Sequence, residues 1–486
     1  VVTLFCSRQH NPRWEMLLVE HDIFDKGRFT SVSLTDEYNY FIVRYPLWFE
    51  FPQLKIHSTV SVSFYLAKFY SRIVGMAGRL RLAATGIQDE LLTGEPQFSY
   101  FLMNYKRHTK FSFDFIESQF DGNIDFGNTI ECRVPNDKGD LIRNMTLKIT
   151  LTDPQPDDGG ENDMVWSPSV ITTLIEYAEI LIGGQPIQRI TGEYIYMHQQ
   201  LHNTNDDIEQ TLYFLTGHGN YLSYAGDYTY FLDLPFYFYR NPSLAIPTCA
   251  LTKQLVEVRI KMRPLNELVR NLGAADAGGI SDVTASISKF SMDTDFVYVT
   301  PEERGYLMSR PLDYVITQVQ MSKFVMKIGE NEKSVMLNFQ HPVKELFFVS
   351  QSKQASSNNI PNYYNEIVNA ELRFNNEIVF SRDGLFLGYE QALKYHVNSP
   401  SALTFTTETF NGLNPRVGPS KFGMYSFSLK PEMPHPTGQV NMSRISHKLF
   451  TIKINPVSAE FENDTRIYAL NYNVLRVESG LAGLKF

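Results

Sequence analysis

The chain has 486 residues, 43% hydrophobic and 13% aromatic, with Phe 35 and Tyr 27. That length suits roughly two to four domains, and the aromatic load leans towards strands. The net charge of −9 argues against a nonspecific nucleic-acid binder, which would carry a basic field.

Residues 1–75 stand apart as an N-terminal extension whose role the sequence leaves open. Ser58–Tyr65, STVSVSFY, alternates like a strand, and Asp36–Phe51 is aromatic and irregular. Met76 opens a new segment. Leu80–Asp89 could form a short element, Thr93-Gly94-Glu95-Pro96 a turn, and Phe98–Tyr105 a strand. The basic cluster Lys106-Arg107-His108 reads as a solvated strand end rather than an anion site. Gly127–Arg133 and Leu141–Leu151 follow as strands. Asp153–Asp163 is an acidic Pro/Gly loop without the spacing of a calcium hand. Ile171–Ile182 leads into a first hairpin. Leu212–Tyr239 is dense in Tyr and Phe, which could stack bases or sugars; its alternation favours core packing. Leu255–Met262, LVEVRIKM, is an alternating strand, and Asn271–Val283 is small and flexible.

Thr300, Pro301 and Glu303 form a capping box that should start a short helix, Glu302–Met308. Strands then recur at Tyr314–Val319, Val335–Phe339 and Glu345–Val349, with a last one at Arg466–Val477. Ser352–Asn359 and Leu413–Lys421 are polar loops. Many short strands with few helical periods indicate β-sandwiches.

Two copies of one β-rich domain are expected. Ala178–Leu201 and Ala370–Leu393 align without a gap at an offset of 192, matching Ala178, Glu179, Gly192, Gln199 and Leu201 with Ala370, Glu371, Gly384, Gln391 and Leu393. The turn pairs Gly183-Gly184 and Asn375-Asn376 also align, and both suit the positive φ of a tight hairpin. Leu372, Phe374, Ile378 and Phe380 would share one face. Gly226–Leu232 resembles Gly423–Leu429, and Ile260-Lys261 with Pro264 resembles Ile452-Lys453 with Pro456. So long a period suits a duplicated domain, not a solenoid.

No enzyme constellation emerges. His198 and His202 have the spacing of helix-borne metal ligands, but the H-E-x-x-H form is absent, and a structural role is expected. Gly418–Gly423 is one residue too long for a nucleophile elbow. Glu302 and Glu303 are neighbours that would not face one substrate. Catalytic, cofactor-binding and metal-ligating residues are therefore expected to number none, and the chain is not expected to be an enzyme. Cys6, Cys132 and Cys249 are too scattered for a metal knuckle or disulfide framework. The sequons at Asn144, Asn441 and Asn463 read as unmodified. No run approaches the ~18 apolar residues of a membrane span, and the N-terminal residues lack the apolar core of a signal peptide.

Gly423–Ile445 resembles the signature segment of major capsid proteins of nucleocytoplasmic large DNA viruses. It carries Lys430-Pro431-Glu432, Pro436, Thr437-Gly438 and Asn441-Met442-Ser443-Arg444. Met76-Ala77-Gly78, Leu92–Pro96, Tyr105–Thr109, His341–Leu346 and Asn471–Arg476 with Ser479-Gly480 are similar to further stretches of that family. The resemblance implies two consecutive eight-stranded jelly rolls, placed at 76–310 and 311–486 with short helices in loops. It implies a homotrimer whose six jelly rolls make a hexagonal capsomer tiling an icosahedral shell. Neighbouring capsomers, minor capsid proteins and a penton protein are the implied partners, with an internal viral membrane nearby. Assembly in the host cytoplasm is implied as well, with loops such as Asp153–Asp163 and Leu413–Lys421 at capsomer tops or seams. Residues 1–75 precede the family's usual start. The alternative is a carbohydrate-binding or carbohydrate-active β-sandwich using the aromatics near Tyr213 or Tyr221.

Overall fold

The computed structural model describes residues 82–84, 86–103, 105–156, 164–204, 206–217, 227–271, 283–353, 364–399, 422–456 and 460–486, and three N-terminal strands. Those strands, Val2–Ser7, Glu15–Glu20 and Val43–Arg44, form a small antiparallel sheet. The expected strand Ser58–Tyr65, residues 157–163 and 354–359, and loop Leu413–Lys421 lie outside the described residues. Val1–Lys106 forms one compact unit and Arg107–Phe486 another. Sixteen of the strands described in the second unit form its four main sheets.

The first eight are β1 (Phe111–Gln119), β2 (Thr129–Val134), β3 (Leu141–Leu151), β4 (Ile175–Ile182), β5 (Gln185–Thr191), β6 (Tyr228–Asp233), β7 (Val256–Met262) and β8 (Ile287–Val299). They make two antiparallel four-stranded sheets, ordered β6-β3-β8-β1 and β5-β4-β7-β2. The next eight are β9 (Leu312–Met326), β10 (Glu332–Met336), β11 (Pro342–Ser352), β12 (Glu366–Phe374), β13 (Glu377–Asp383), β14 (Gly423–Ser426), β15 (Lys448–Asn455) and β16 (Asn463–Glu478). Their sheets run β14-β11-β16-β9 and β13-β12-β15-β10. Adding eight to each strand number of the first pair of sheets gives the second. Strands one, three, six and eight share a sheet, and two, four, five and seven share the other, which is jelly-roll topology. The chain is an all-β double jelly roll.

Local chemistry makes these strands. Along β7, Val256, Val258, Ile260 and Met262 are buried while Glu257, Arg259 and Lys261 are less so, because successive side chains take opposite faces. Each such buried aliphatic contributes about 1.5–3 kcal/mol. β11 differs. Leu346 and Phe348 enter the second roll's own core, whereas Phe347 and Val349 join the core cluster of the first. The continuous run Leu346–Val349 is therefore a strand buried on both faces.

The duplication holds at the level of backbone detail. Both turn pairs have positive φ, 60° and 78° at Gly183 and Gly184, and 49° and 72° at Asn375 and Asn376. Both hairpins carry a bulge at the same place, since Ile187 and Val379 are the skipped residues of β5 and β13. Ile260 pairs with Ala178, and Ile452 with Ala370. A helix then starts at the aligned glycine of each copy.

Some sequence expectations change. The bulge at Val379 breaks alternation, so Ile378 pairs with Arg373 and is 56% exposed instead of sharing the Leu372 and Phe380 face. Phe98–Tyr105 is not a strand among the described residues; Phe98, Tyr100 and Phe101 are exposed without a ladder partner. Ile171–Ile182 opens with a buried helical turn, Val170–Leu174, before β4. Leu393 is 80% exposed although its aligned partner Leu201 is buried. Of the capping box, the Thr300 half forms: Thr300 Oγ1 accepts from the Glu303 N–H and helix Pro301–Ser309 follows.

Candidate functional site

The sequence candidates do not assemble into a reactive centre. Glu302 and Glu303 sit in the first turn of helix Pro301–Ser309. Gly423 lies against the Phe348 ring, while residues 418–421 lie outside the described residues. The Lys106–His108 cluster is exposed coil before β1. Tyr230, Leu232, Phe236, Tyr237 and Phe238 of the aromatic stretch are buried in the core, as packing demands; Tyr213 packs against it and Tyr221 lies outside the described residues. Cys132 and Cys249 are buried free thiols. The Asn463 side chain is 2% exposed and accepts from Asn365 Nδ2 at 2.9 Å, so folded protein offers no acceptor there. Asn144 Nδ2 donates to Asp233, and Asn441 caps the turn Met442–Arg444 by accepting from the Ser443 N–H.

What the fold does gather is a seam of buried charge between the two rolls. Glu193 lies in the first turn of helix Gly192–His202, directly after β5. Arg466 of β16 grips its carboxylate with two bonds of 2.7 Å, and Tyr468 donates a third of 2.5 Å. Arg466 also donates to Gln351 at 2.9 Å. Burial pushes the Glu193 carboxyl up, but the Arg466 guanidinium and the hydrogen bonds from Arg466 and Tyr468 outweigh it and hold the group below its ordinary range. Bidentate pairing of this kind fixes orientation as well as charge. Around it, Gln318 Nε2 donates to the Ile187 carbonyl at 2.6 Å. The C-terminal strand Leu481–Leu484 latches on through the Ala482 N–H to Gln254 Oε1 at 2.7 Å.

A second polar cluster lies on the same seam. The rings of His198 and His202 stack at 3.9 Å, and His202 Nδ1 lies 3.1 Å from the His198 carbonyl. His396, entering from the second roll, bonds Glu345 through Nε2 at 2.9 Å and Glu432 through Nδ1 at 3.0 Å. Burial pushes His396 down, but Glu345 and Glu432 together lift it to about 9. Burial, with His396 adding to it, pushes His202 down to about 4. Lys344 Nζ is buried and donates to the Pro431 carbonyl at 2.7 Å.

The segment that carries the family resemblance is thus a folding device. Glu432 binds His396, and Pro431 binds Lys344. Thr437 Oγ1 accepts from the Lys430 N–H at 2.9 Å, and Ser443 Oγ accepts from the His341 N–H at 2.8 Å. Asn471 is fully buried and accepts from Gln320 at 3.0 Å. Ser479 and Gly480, with φ of 55° and 85°, make the turn before Leu481–Leu484. Sequence reasoning found these motifs but not the partners of Glu432, Pro431, Ser443 and Asn471, which lie 36, 87, 102 and 151 positions away. The available signal was Lys344-Glu345, two charges inside the apolar run from Val343 to Val349.

Comparison with known proteins gives a consistent result. The family described as "Major capsid protein N-terminus" matches residues 99–300, and "Large eukaryotic DNA virus major capsid protein" matches 303–483. The chain is 30% identical over 422 residues to the major capsid protein of Pyramimonas orientalis virus, covering 84% of this chain and 99% of that one. It is 26% identical over 450 residues to that of Paramecium bursaria Chlorella virus 1, covering 85% and 100%. Among solved structures, the quasi-atomic PBCV-1 virus capsid aligns with a TM-score of 0.63 at 21% identity, covering 80% of this chain and all of that one. The Faustovirus major capsid protein aligns at 0.64 and 11% identity, covering 81% and 94%.

Proposed function

The chain belongs to the major capsid protein family of large eukaryotic DNA viruses, and on that premise we propose that three copies close into one capsomer of hexagonal outline. The chain is a virion capsid component, and its role is structural, with no catalysis. The observation that carries the trimer is the strand-for-strand equivalence of β1–β8 and β9–β16. Two equivalent rolls per chain give six around a three-fold axis, and hexagonal units tile a flat facet. Cyclic closure makes the contact head-to-tail between different faces of neighbouring copies. The buried seam supports this reading, because it makes the two rolls one rigid piece. Phe111, Phe113 and Phe115 are 51%, 48% and 66% exposed along edge strand β1, and they suit burial against a second copy.

The rolls are assigned to 76–310 and 311–486, with 1–75 as an extension. Neighbouring capsomers, minor capsid proteins and a penton protein are the proposed partners, and host cytoplasm is the proposed place of assembly. An internal viral membrane lies beneath. Among the described residues no helix is long and apolar enough to cross it. Negative-stain images of the purified chain test the capsomer. Class averages with a hexagonal outline and three-fold symmetry are expected; a field of single two-lobed particles would overturn it.

A further inference from the structure

We propose that the seam between the two rolls is a binding site for a divalent transition-metal ion, zinc by its ligand chemistry, held by His202, His396 and Glu432. One donor atom from each of these residues lies within 4.8 Å of the others. They come from three separate places: the last turn of helix Gly192–His202, the end of helix Gln391–Tyr395, and the loop after β14. An ion there would pin one roll to the other.

The second layer of contacts favours ligation. A His202 that donates from Nδ1 to the His198 carbonyl keeps its lone pair on Nε2. His396 donates from Nε2 to Glu345, which directs Nδ1 towards Glu432. A carboxylate behind an imidazole is the arrangement that orients and strengthens a metal-bound histidine. Two nitrogens and one carboxylate oxygen suit zinc, which prefers such mixed sets, over calcium or magnesium, which take oxygen. Around a tetrahedral zinc the donors sit about 3.3 Å apart, given bond lengths near 2.0–2.1 Å. The 3.0 Å between His396 Nδ1 and Glu432 Oε1 is near that value, and the third donor, within 4.8 Å, would close to it by side-chain rotation of up to about 1.5 Å. The His396 side chain is fully buried, but that of Glu432 is 29% exposed, which leaves an entry path and room for water as a fourth ligand.

Binding balances simply. Without the ion, a proton on His396 Nδ1 bridges to Glu432. Zinc takes the nitrogen lone pair and that proton leaves to solvent. Glu345 and Glu432 supply two negative charges that offset Lys344 and the Arg240 guanidinium, which donates to the His202 carbonyl at 3.4 Å.

Cobalt(II) is the probe, because it replaces zinc and its visible d–d absorption reports four-coordination. Chelator-treated full chain is titrated with Co2+ and then Zn2+, with thermal unfolding followed in parallel. One Co2+ per chain with an intense visible band, bleached by Zn2+, is expected, together with a raised unfolding temperature in Zn2+. His202→Gln and Glu432→Gln should lose the band. Glu345→Gln should weaken binding roughly 10–100-fold. The exposed His435→Gln should change nothing. Circular dichroism of each variant separates lost binding from lost folding. Wild-type chain with no band and no thermal shift overturns the proposal, as does a band that survives in both His202→Gln and Glu432→Gln.

Discussion

Replacing Gly384 by alanine should lower stability by about 3 kcal/mol or more, the upper end of overpacking costs, and Gly192→Ala should do the same. A Cβ at Gly384 would lie 1.9 Å from the Ile367 carbonyl oxygen, and one at Gly192 would lie 2.0 Å from that of Thr172 and 2.2 Å from that of Ile175. These obstacles are backbone atoms of a buried turn and strand, so no side chain can swing away. The two glycines align across the copies, and so do Ile175 and Ile367. Each glycine lets the helix that follows its hairpin cross hard against the start of a strand. Gly305→Ala is the control. It lies in helix Pro301–Ser309 with nothing near its Cβ, so alanine should stabilise by up to about 1 kcal/mol. Denaturation midpoints and soluble yield of the three variants measure the difference. Equal midpoints for Gly384→Ala and wild type would remove the close crossing from the account.

Breaking the Glu193–Arg466 pair should be the costliest polar change. Glu193→Gln or Arg466→Met alone should cost about 3–5 kcal/mol, because the first leaves Arg466 with only the longer 3.7 Å pairing to Asp464 and the second leaves the Glu193 charge without its guanidinium. The double variant should recover much of that loss, since the two sites share one interaction. The pH dependence has a defined sign. The folded carboxyl of Glu193 is held below its ordinary value, and an unfolded glutamate titrates near ~4.3. The stabilisation is therefore complete above that value and fades as pH falls through the lower folded one. Wild-type stability should drop in acid more steeply than that of Glu193→Gln. Parallel acid profiles for the two would show that the pair does not titrate with folding.

The legible parts of this chain are those written in local chemistry. The Gly183-Gly184 and Asn375-Asn376 turns, the alternation of β7 and the Thr300 N-cap need only neighbours in sequence, and each forms as read. Gap-free alignment of the two hairpin copies led directly to the double sandwich. Val379 escaped because a bulge leaves no mark in hydrophobic pattern. The seam escaped for a different reason. Glu193 and Arg466 are 273 positions apart, and a glutamate beside a helix start reads like any solvated first-turn acid. His198 and His202 were visible as a spaced pair, but His396 and Glu432 joined them only through the packing of one roll on the other. The same holds for β11, whose two-sided burial is a property of the neighbouring roll.

The account stands most directly on the assembly state of the purified chain. Light scattering after size exclusion should give three times the 55.9 kDa chain mass, about 168 kDa, unchanged on dilution. A folded, monodisperse species of 55.9 kDa under the same conditions would contradict a self-assembling capsomer subunit.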